Sequence, residues 1–244
     1  MRVAIGQVDI AFHDNAANLT TLTSVTRMAG EQQADVLVLP ECPLVGWLSP
    51  GAHGAAEPVP GAFTASLADL AAQYDMAVVT GVEERVADRT HNAAVLIGPD
   101  GEMLLHHRKI DELEIGRATD ATGDRLGVTR LDGATVALDI CADSWGNHIV
   151  GVLALMGAQV LFTPCAWAIE PGREQANTEW IIHRYRTLAQ RHGMTFVAAN
   201  SVGRVDCGPW EGRVLHGDSL VVGPDGVLAH GARNQSDLIV VDVG

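Results

Sequence analysis

The segment T-V-A-L-D-I-C-A-D-S-W at 135–145 constrains this chain more than any other stretch. Thr135, Val136, Ala137, Leu138 and Ile140 make a short, nearly continuous apolar run with β-branched members. That is the pattern of a strand covered on both faces. The run stops at Cys141, and a helical pattern follows at about 146–157, with Val150, Leu153 and Ala154 on one side. A cysteine at a strand-to-helix turn meets converging backbone N–H groups and the positive end of a helix dipole, which lower a thiol pKa. The competing reading is a buried cysteine packing as a small, inert hydrophobe.

The rest of the chain repeats the alternation. Residues 2–8 read as a strand, and 15–30 as an amphipathic helix with Leu19, Leu22, Val25 and Ala29 at three- and four-residue spacings. A second buried strand at 34–40 ends in proline, and Glu41 follows at once, before a Gly/Pro-containing loop to residue 60. Phe63, Leu67, Leu70 and Tyr74 mark a helix, and 76–81 a strand. Two similar stretches, V-L-I-G-P-D-G-E-M-L and L-V-V-G-P-D-G-V-L-A, predict hairpins at 93–107 and 219–230, equivalent in two halves of one domain. Strands at 159–164, 194–199 and 237–243 and a long helix at 173–192 complete an α/β chain with a mixed sheet or two sheets. No linker divides it, so residues 1–244 are read as a single domain.

The formal net charge is −14, from 30 acidic and 16 basic residues, which argues against nucleic acid or an anionic membrane as the main partner. Cys42, Cys141, Cys165 and Cys207 are widely spaced, as in a chain kept reduced. The first residues already carry a strand pattern, and no apolar run approaches a membrane span, so a cytoplasmic protein is expected.

Three reactive residues each follow a predicted strand: Glu41 after V-L-V-L-P, Lys109 after L-L-H-H-R, and Cys141 after V-A-L-D-I. Groups that share a site in sheet proteins cluster beyond the carboxyl ends of strands. A carboxylate, an amine and a thiol together suit acyl transfer through a thioester: the carboxylate takes the thiol proton, the thiolate attacks, and the ammonium and a backbone N–H hold the oxyanion. Taken singly, Glu41 reads as solvated loop and Lys109 as part of a charged surface run.

The chain resembles the nitrilase superfamily of carbon–nitrogen hydrolases, in its amidase-like branch. V-L-P-E at 38–41, H-R-K-I at 107–110 and D-I-C-A-D at 139–143 carry the resemblance, with separations of 68 and 32 residues between the three reactive positions. H-N-A-A-V-L-I-G-P-D-G at 91–101, L-A-L-M-G-A-Q-V-L at 153–161, F-V-A-A-N-S-V-G at 196–203 and H-G-D-S-L-V-V-G-P-D-G at 216–226 support it. The resemblance implies a four-layer α-β-β-α sandwich and a Glu41–Lys109–Cys141 triad with no cofactor and no metal. It also implies oxyanion stabilisation by Lys109 and the backbone N–H of Ala142. An auxiliary glutamate beyond the lysine is expected at Glu112 or Glu114; Leu113 and Ile115 flank Glu114 as in an alternating segment, which favours it slightly.

Asp143 two residues after the nucleophile, where nitrile-hydrolysing members carry Trp-Glu, points to amide rather than nitrile chemistry, while Ala142 and Trp145 depart from the best-known members. The expected activity is hydrolysis of a small linear amide or N-carbamoyl compound, with water as second substrate and ammonia as product. Nitrile hydrolysis, a non-catalytic binding protein and acyl transfer to an amine are the alternatives, and the intact triad argues against the non-catalytic one. Trp47, Trp145, Trp167 and Trp210 fall in loops near strand ends and could converge to line a pocket, or pack in core or interface. Trp180, inside the long helix, reads as packing or interface. Cys42 and Cys165 are expected to be structural, and Asn92 and Asn200 to fix loops through backbone bonds. His106, His107, His148 and His216 lack metal-ligand spacing. The resemblance implies a homodimer or larger homo-oligomer built by helices stacking across the outer layers.

Overall fold

The apolar runs become the central strands of two six-stranded sheets. The computed structural model describes all 244 residues. The first half supplies β1 (Arg2–Gln7), α1 (Asn15–Glu31), β2 (Val36–Val38), a short α2 (Ala52–Ala55), α3 (Ala62–Tyr74), β3 (Ala77–Val86), β4 (Arg89–Ile97) and β5 (Met103–Arg108). The second half begins with β6 (Val128–Leu131), β7 (Ala134–Leu138), α4 (Asn147–Leu155), β8 (Val160–Cys165), β9 (Ala168–Ile169) and α5 (Glu174–His192). It ends with β10 (Thr195–Asn200), β11 (Val202–Arg204), β12 (Val214–His216), β13 (Leu220–Gly223), β14 (Gly226–His230) and β15 (Asp237–Asp242).

The first sheet runs β15-β1-β2-β3-β4-β5, the second β14-β13-β10-β8-β7-β6, and β11, β12 and β9 form a small third sheet. Each large sheet has a parallel triplet at its centre, β1/β2/β3 and β7/β8/β10. Parallel neighbours require a crossover, which α1, α3, α4 and α5 provide. The two Gly-Pro-Asp-Gly hairpins, β4–β5 and β13–β14, close corresponding edges of the two sheets.

Alternation along the strands sorts their side chains into layers. In β1, Ala4 packs with Leu22, Val25 and Leu67 of α1 and α3. Its neighbours Val3 and Ile5 join the cluster shared with the second sheet. Ile149, Val150 and Leu153 of α4 and Ile181, Tyr185 and Leu188 of α5 cover the far side of that sheet. The result is the four-layer α-β-β-α sandwich.

Three features differ from the sequence reading. β3 does not stop at Gly81 but continues to Val86, paired with β4 from Val78↔Ile97 to Val86↔Arg89. Glu83, Glu84 and Arg85 hid this extension, because their polarity breaks the apolar run. β6 and the small third sheet are too short to leave a periodic signal. No helix is long and apolar enough to cross a membrane.

Candidate active site

The three reactive residues lie at strand ends on both sides of the seam between the sheets. Beyond β2 the chain turns through Pro40, and the Glu41 N–H donates to the Cys165 carbonyl of β8 at 3.3 Å, across that seam. The turn passes tightly over β3: a Cβ on Gly81 would lie 2.5 Å from the Cys42 nitrogen and 2.7 Å from Glu41 Cα. Only glycine leaves room for this approach. Lys109 follows β5 directly, its N–H bonded to the Asn92 carbonyl of β4 at 2.9 Å.

Glu41 Oε1 accepts from Lys109 Nζ at 2.7 Å and from Asn92 Nδ2 at 2.6 Å. Its other oxygen, Oε2, is buried and has no hydrogen-bond partner. Lys109 Nζ also lies 3.2 Å from Glu112 Oε1, and Asn92 Nδ2 donates to Glu112 Oε2 at 3.3 Å. Burial alone would lower the Lys109 pKa, but Glu41, then Cys141 and Glu112, outweigh it and hold it well above the usual amine range. The ammonium therefore stays charged, 4.9 Å from the centre of the Trp47 ring. Burial pushes the Glu112 carboxyl up, against the pull of Lys109.

Cys141 is buried and takes φ +48°, the left-handed region, at the start of a single 3-10 turn spanning Cys141–Ser144. A non-glycine residue there costs about 1–2 kcal/mol, so something must hold it. Asp143 does. Its N–H donates to the Ile140 carbonyl at 2.9 Å while its Oδ2 accepts from the Ile140 N–H at 3.1 Å, a closed ring around Cys141. Asp143 Oδ1 accepts from the N–H groups of Ile110 at 3.1 Å and Asp111 at 2.7 Å, immediately after Lys109. His107 Nε2 donates to Oδ2 at 2.7 Å. One carboxylate thus ties the lysine loop to the cysteine turn. Beneath it Asp139, pushed up to about 7 by burial and then by Asp143, accepts from the hydroxyls of Ser144 and Thr163.

Several expectations change. α4 begins at Asn147, so the thiol sits on the 3-10 turn rather than at a helix N-terminus. Glu112, not Glu114, stands beside Lys109; Glu114 is exposed. Asp143 faces backbone and His107, so it selects no substrate by contact. Trp47 is buried edge-on to Trp210, with ring centroids 4.7 Å apart. Trp167 packs inward against Tyr185 at 5.9 Å. Trp145 does not join them; it is exposed and pairs with Trp180 of α5 at 5.7 Å. Asn92, expected to fix a loop, instead bridges the Glu41 and Glu112 carboxylates; a polar residue inside H-N-A-A-V-L-I is its only signal in the sequence. Asn200 does bind backbone, at Trp167 N–H and the Gly217 carbonyl. Cys42 and Cys165 are buried, and burial is the first cause raising both thiols. His106, His107, His148 and His216 pair with Glu84, Asp143, Asp111 and Asp218.

The chain has known relatives over its whole length. It is 27% identical to the omega-amidase NIT2 of Bos taurus over 252 residues, covering 99% of this chain and 88% of that protein. It is 31% identical to an (R)-stereoselective amidase of Pseudomonas sp, over 96% of this chain and 82% of that one. It superposes with a TM-score of 0.86 and 25% identity on a mutant amidase from Nesterenkonia sp. AN1, over 100% of this chain and 90% of the other. That mutant carries the acetamide moiety of fluoroacetamide covalently added at its active-site cysteine. Residues 2–244 match the carbon-nitrogen hydrolase family. With fold, whole-length match and amidase relatives in agreement, the chain belongs to that family, in the amidase-like branch of the nitrilase superfamily.

Proposed function

We propose that the chain hydrolyses the C–N bond of a small amide or N-carbamoyl compound through a thioester on Cys141, releasing ammonia. The observation that carries this reading is the division of labour on Glu41. One carboxylate oxygen is saturated by Lys109 and Asn92, and the other is buried with nothing bonded to it. The free oxygen takes the Cys141 proton as the sulfur attacks the substrate carbonyl. Lys109 and the Ala142 N–H hold the oxyanion. Collapse expels the nitrogen, which leaves as ammonia with the proton that Glu41 returns. Glu41 then takes a proton from water, hydroxide attacks the thioester, and the proton passes to the departing sulfur. Glu112 and Asn92 position Lys109 and Glu41, and Trp47 lies over the ammonium. Amidase relatives support amide over nitrile.

Intact-mass measurement tests the reading. Wild-type protein quenched in acid during turnover of small amides should carry one acyl mass, Glu41→Gln and Lys109→Ala should release little or no ammonia, and Cys141→Ala should carry no adduct and release none. An adduct or undiminished turnover in Cys141→Ala would exclude the assignment.

We further infer a homodimer or larger homo-oligomer in the cytoplasm, where the four free cysteines stay reduced. Trp145, Trp180, Val152, Met156 and the 90% exposed Leu155 form an apolar face on and around α4 and α5 that suits a second copy. Leu155→Glu should shift sedimentation towards the monomer; a wild-type monomer at micromolar concentration would refute the inference.

A further inference from the structure

Seven carboxylates are buried, and six of them hold at least one charged or hydrogen-bonding side-chain partner. Glu41 and Glu112 share Lys109, Glu84 takes Arg108 and His106, and Asp218 takes His216 and Arg233. Asp143 takes His107 and three N–H groups, and Asp139 two hydroxyls. Glu83 is the exception. It is 8% exposed and forms no ion pair; its polar neighbour is the Cys42 thiol, a weak donor. On β3 it stands opposite Asn92 of β4 and on the same face, one side chain away from the amide that holds Glu41 and Glu112.

Glu83 lines a narrow cavity walled by Leu44, Val45, Val59 and Phe63. Cys42 and Gly81 line it too, and both abut the Glu41 backbone. The charged and titratable groups around Glu83 are nearly all acidic: Cys42 and Glu41 on the turn after β2, and Glu112 and Asp120 on the loop after β5. Glu57, from the segment between α2 and α3, lines the cavity but is engaged by the Ala62 and Phe63 N–H groups. Lys109 is already bound by two carboxylates. Burial, then Asp120, pushes the Glu83 carboxyl up to about 8. Burial opposes a bare charge here, while the acidic neighbours Asp120, Glu41 and Glu112 favour a cation beside Glu83.

We propose that the Glu83 cavity is an ammonium subsite, taking a primary ammonium group, either at the far end of an amino-amide substrate or as the ammonium ion released by the reaction. The amidase reading above supplies only these two sources; the subsite itself rests on Glu83 and its surroundings. The cavity's volume of about 10 Å³ matches one water-sized group such as an ammonium, and Glu83 supplies the charge beside it. Entry of the ammonium displaces the Glu83 proton, so binding tightens as pH rises towards about 8 and levels off above it.

The test compares 5-aminopentanamide with hexanamide and 3-aminopropanamide with butanamide, pairs in which an ammonium replaces a methyl group. Wild-type kcat/KM should favour the amino member of one pair by about tenfold, the scale of a charge-assisted hydrogen bond, and the preference should shrink towards pH 6. Glu83→Gln, which keeps the shape, should bring the ratio near one and remove its pH dependence, whereas Glu83→Asp should retain part of it. If instead ammonium chloride inhibits the wild type more than sodium chloride does, and Glu83→Gln abolishes the difference, the occupant is the product. Equal ratios in both proteins together with equal salt effects would overturn the subsite while leaving the amidase reading intact. If no amide turns over, that reading fails, and thermal protection of the wild type by ammonium chloride over sodium chloride reads the cavity instead. Protection lost in Glu83→Gln supports the subsite, and no protection in the wild type overturns it.

Discussion

At the residue scale, Asp143 has the most to answer for. Its carboxylate accepts four hydrogen bonds, joining the backbone just after Lys109 to the turn that holds Cys141 at positive φ. Asparagine would present an N–H₂ to donors already aimed at Oδ2, leaving buried groups unpaired at roughly 1–3 kcal/mol each. The Asp143→Asn variant should therefore lose kcat by about 10- to 100-fold with a smaller change in KM, since a misplacement of about 1 Å has that cost. Steady-state kinetics on any turned-over amide checks this, and a loss confined to KM would mean that Asp143 acts on substrate binding instead. The placement of Glu41, Lys109 and Cys141 beyond strand ends was legible because each follows a short apolar run. The auxiliary glutamate was not. Reading 112–115 as an alternating strand favoured Glu114, but the chain turns there, and the i,i+3 spacing from Lys109 brings Glu112 back to the ammonium.

At the element scale, long periodic segments announced themselves and short or polar ones did not. α1, α3 and α5 fall within a residue or two of the expected limits, because three- and four-residue apolar spacing sets the face each one buries. The two Gly-Pro-Asp-Gly hairpins were visible as a pair, and they occupy equivalent edges. The outer half of β3 was missed because Glu83, Glu84 and Arg85 look like a loop; their strand is held by its ladder with β4 and by Arg108, which reaches Glu84 through two bonds of 2.6 and 2.7 Å. The small sheet of β9, β11 and β12 is made of strands two or three residues long, whose pairing depends on partners far along the chain. Local pattern carries no such information.

At the scale of the whole molecule, two buried acids tie stability to pH. Asp139 titrates at about 7 and Glu83 at about 8, each raised first by burial. In the unfolded chain both ionise near about 4. Between those limits the folded chain keeps protons that the unfolded chain has lost, so their contribution is full below about pH 4 and fades until about pH 8. Burial also opposes ionisation of Glu84, but Arg108 and His106 hold it at about 2, so its effect has the opposite sign and is confined to acid pH. Thermal melts from pH 5 to 9 should show Glu83→Gln gaining on the wild type as pH rises, by a few kcal/mol at most. A difference that stays flat or reverses would contradict the buried, unpaired state of Glu83.

Glu41 and Lys109 are borne by one sheet and Cys141 by the other, with the Glu41-to-Cys165 bond stitching them together. Turnover is consequently a gauge of how squarely the two halves of the sandwich stay docked. A slip between them too small to melt any helix would already silence the chemistry, so in mild denaturant the chain should fall idle well before it falls apart.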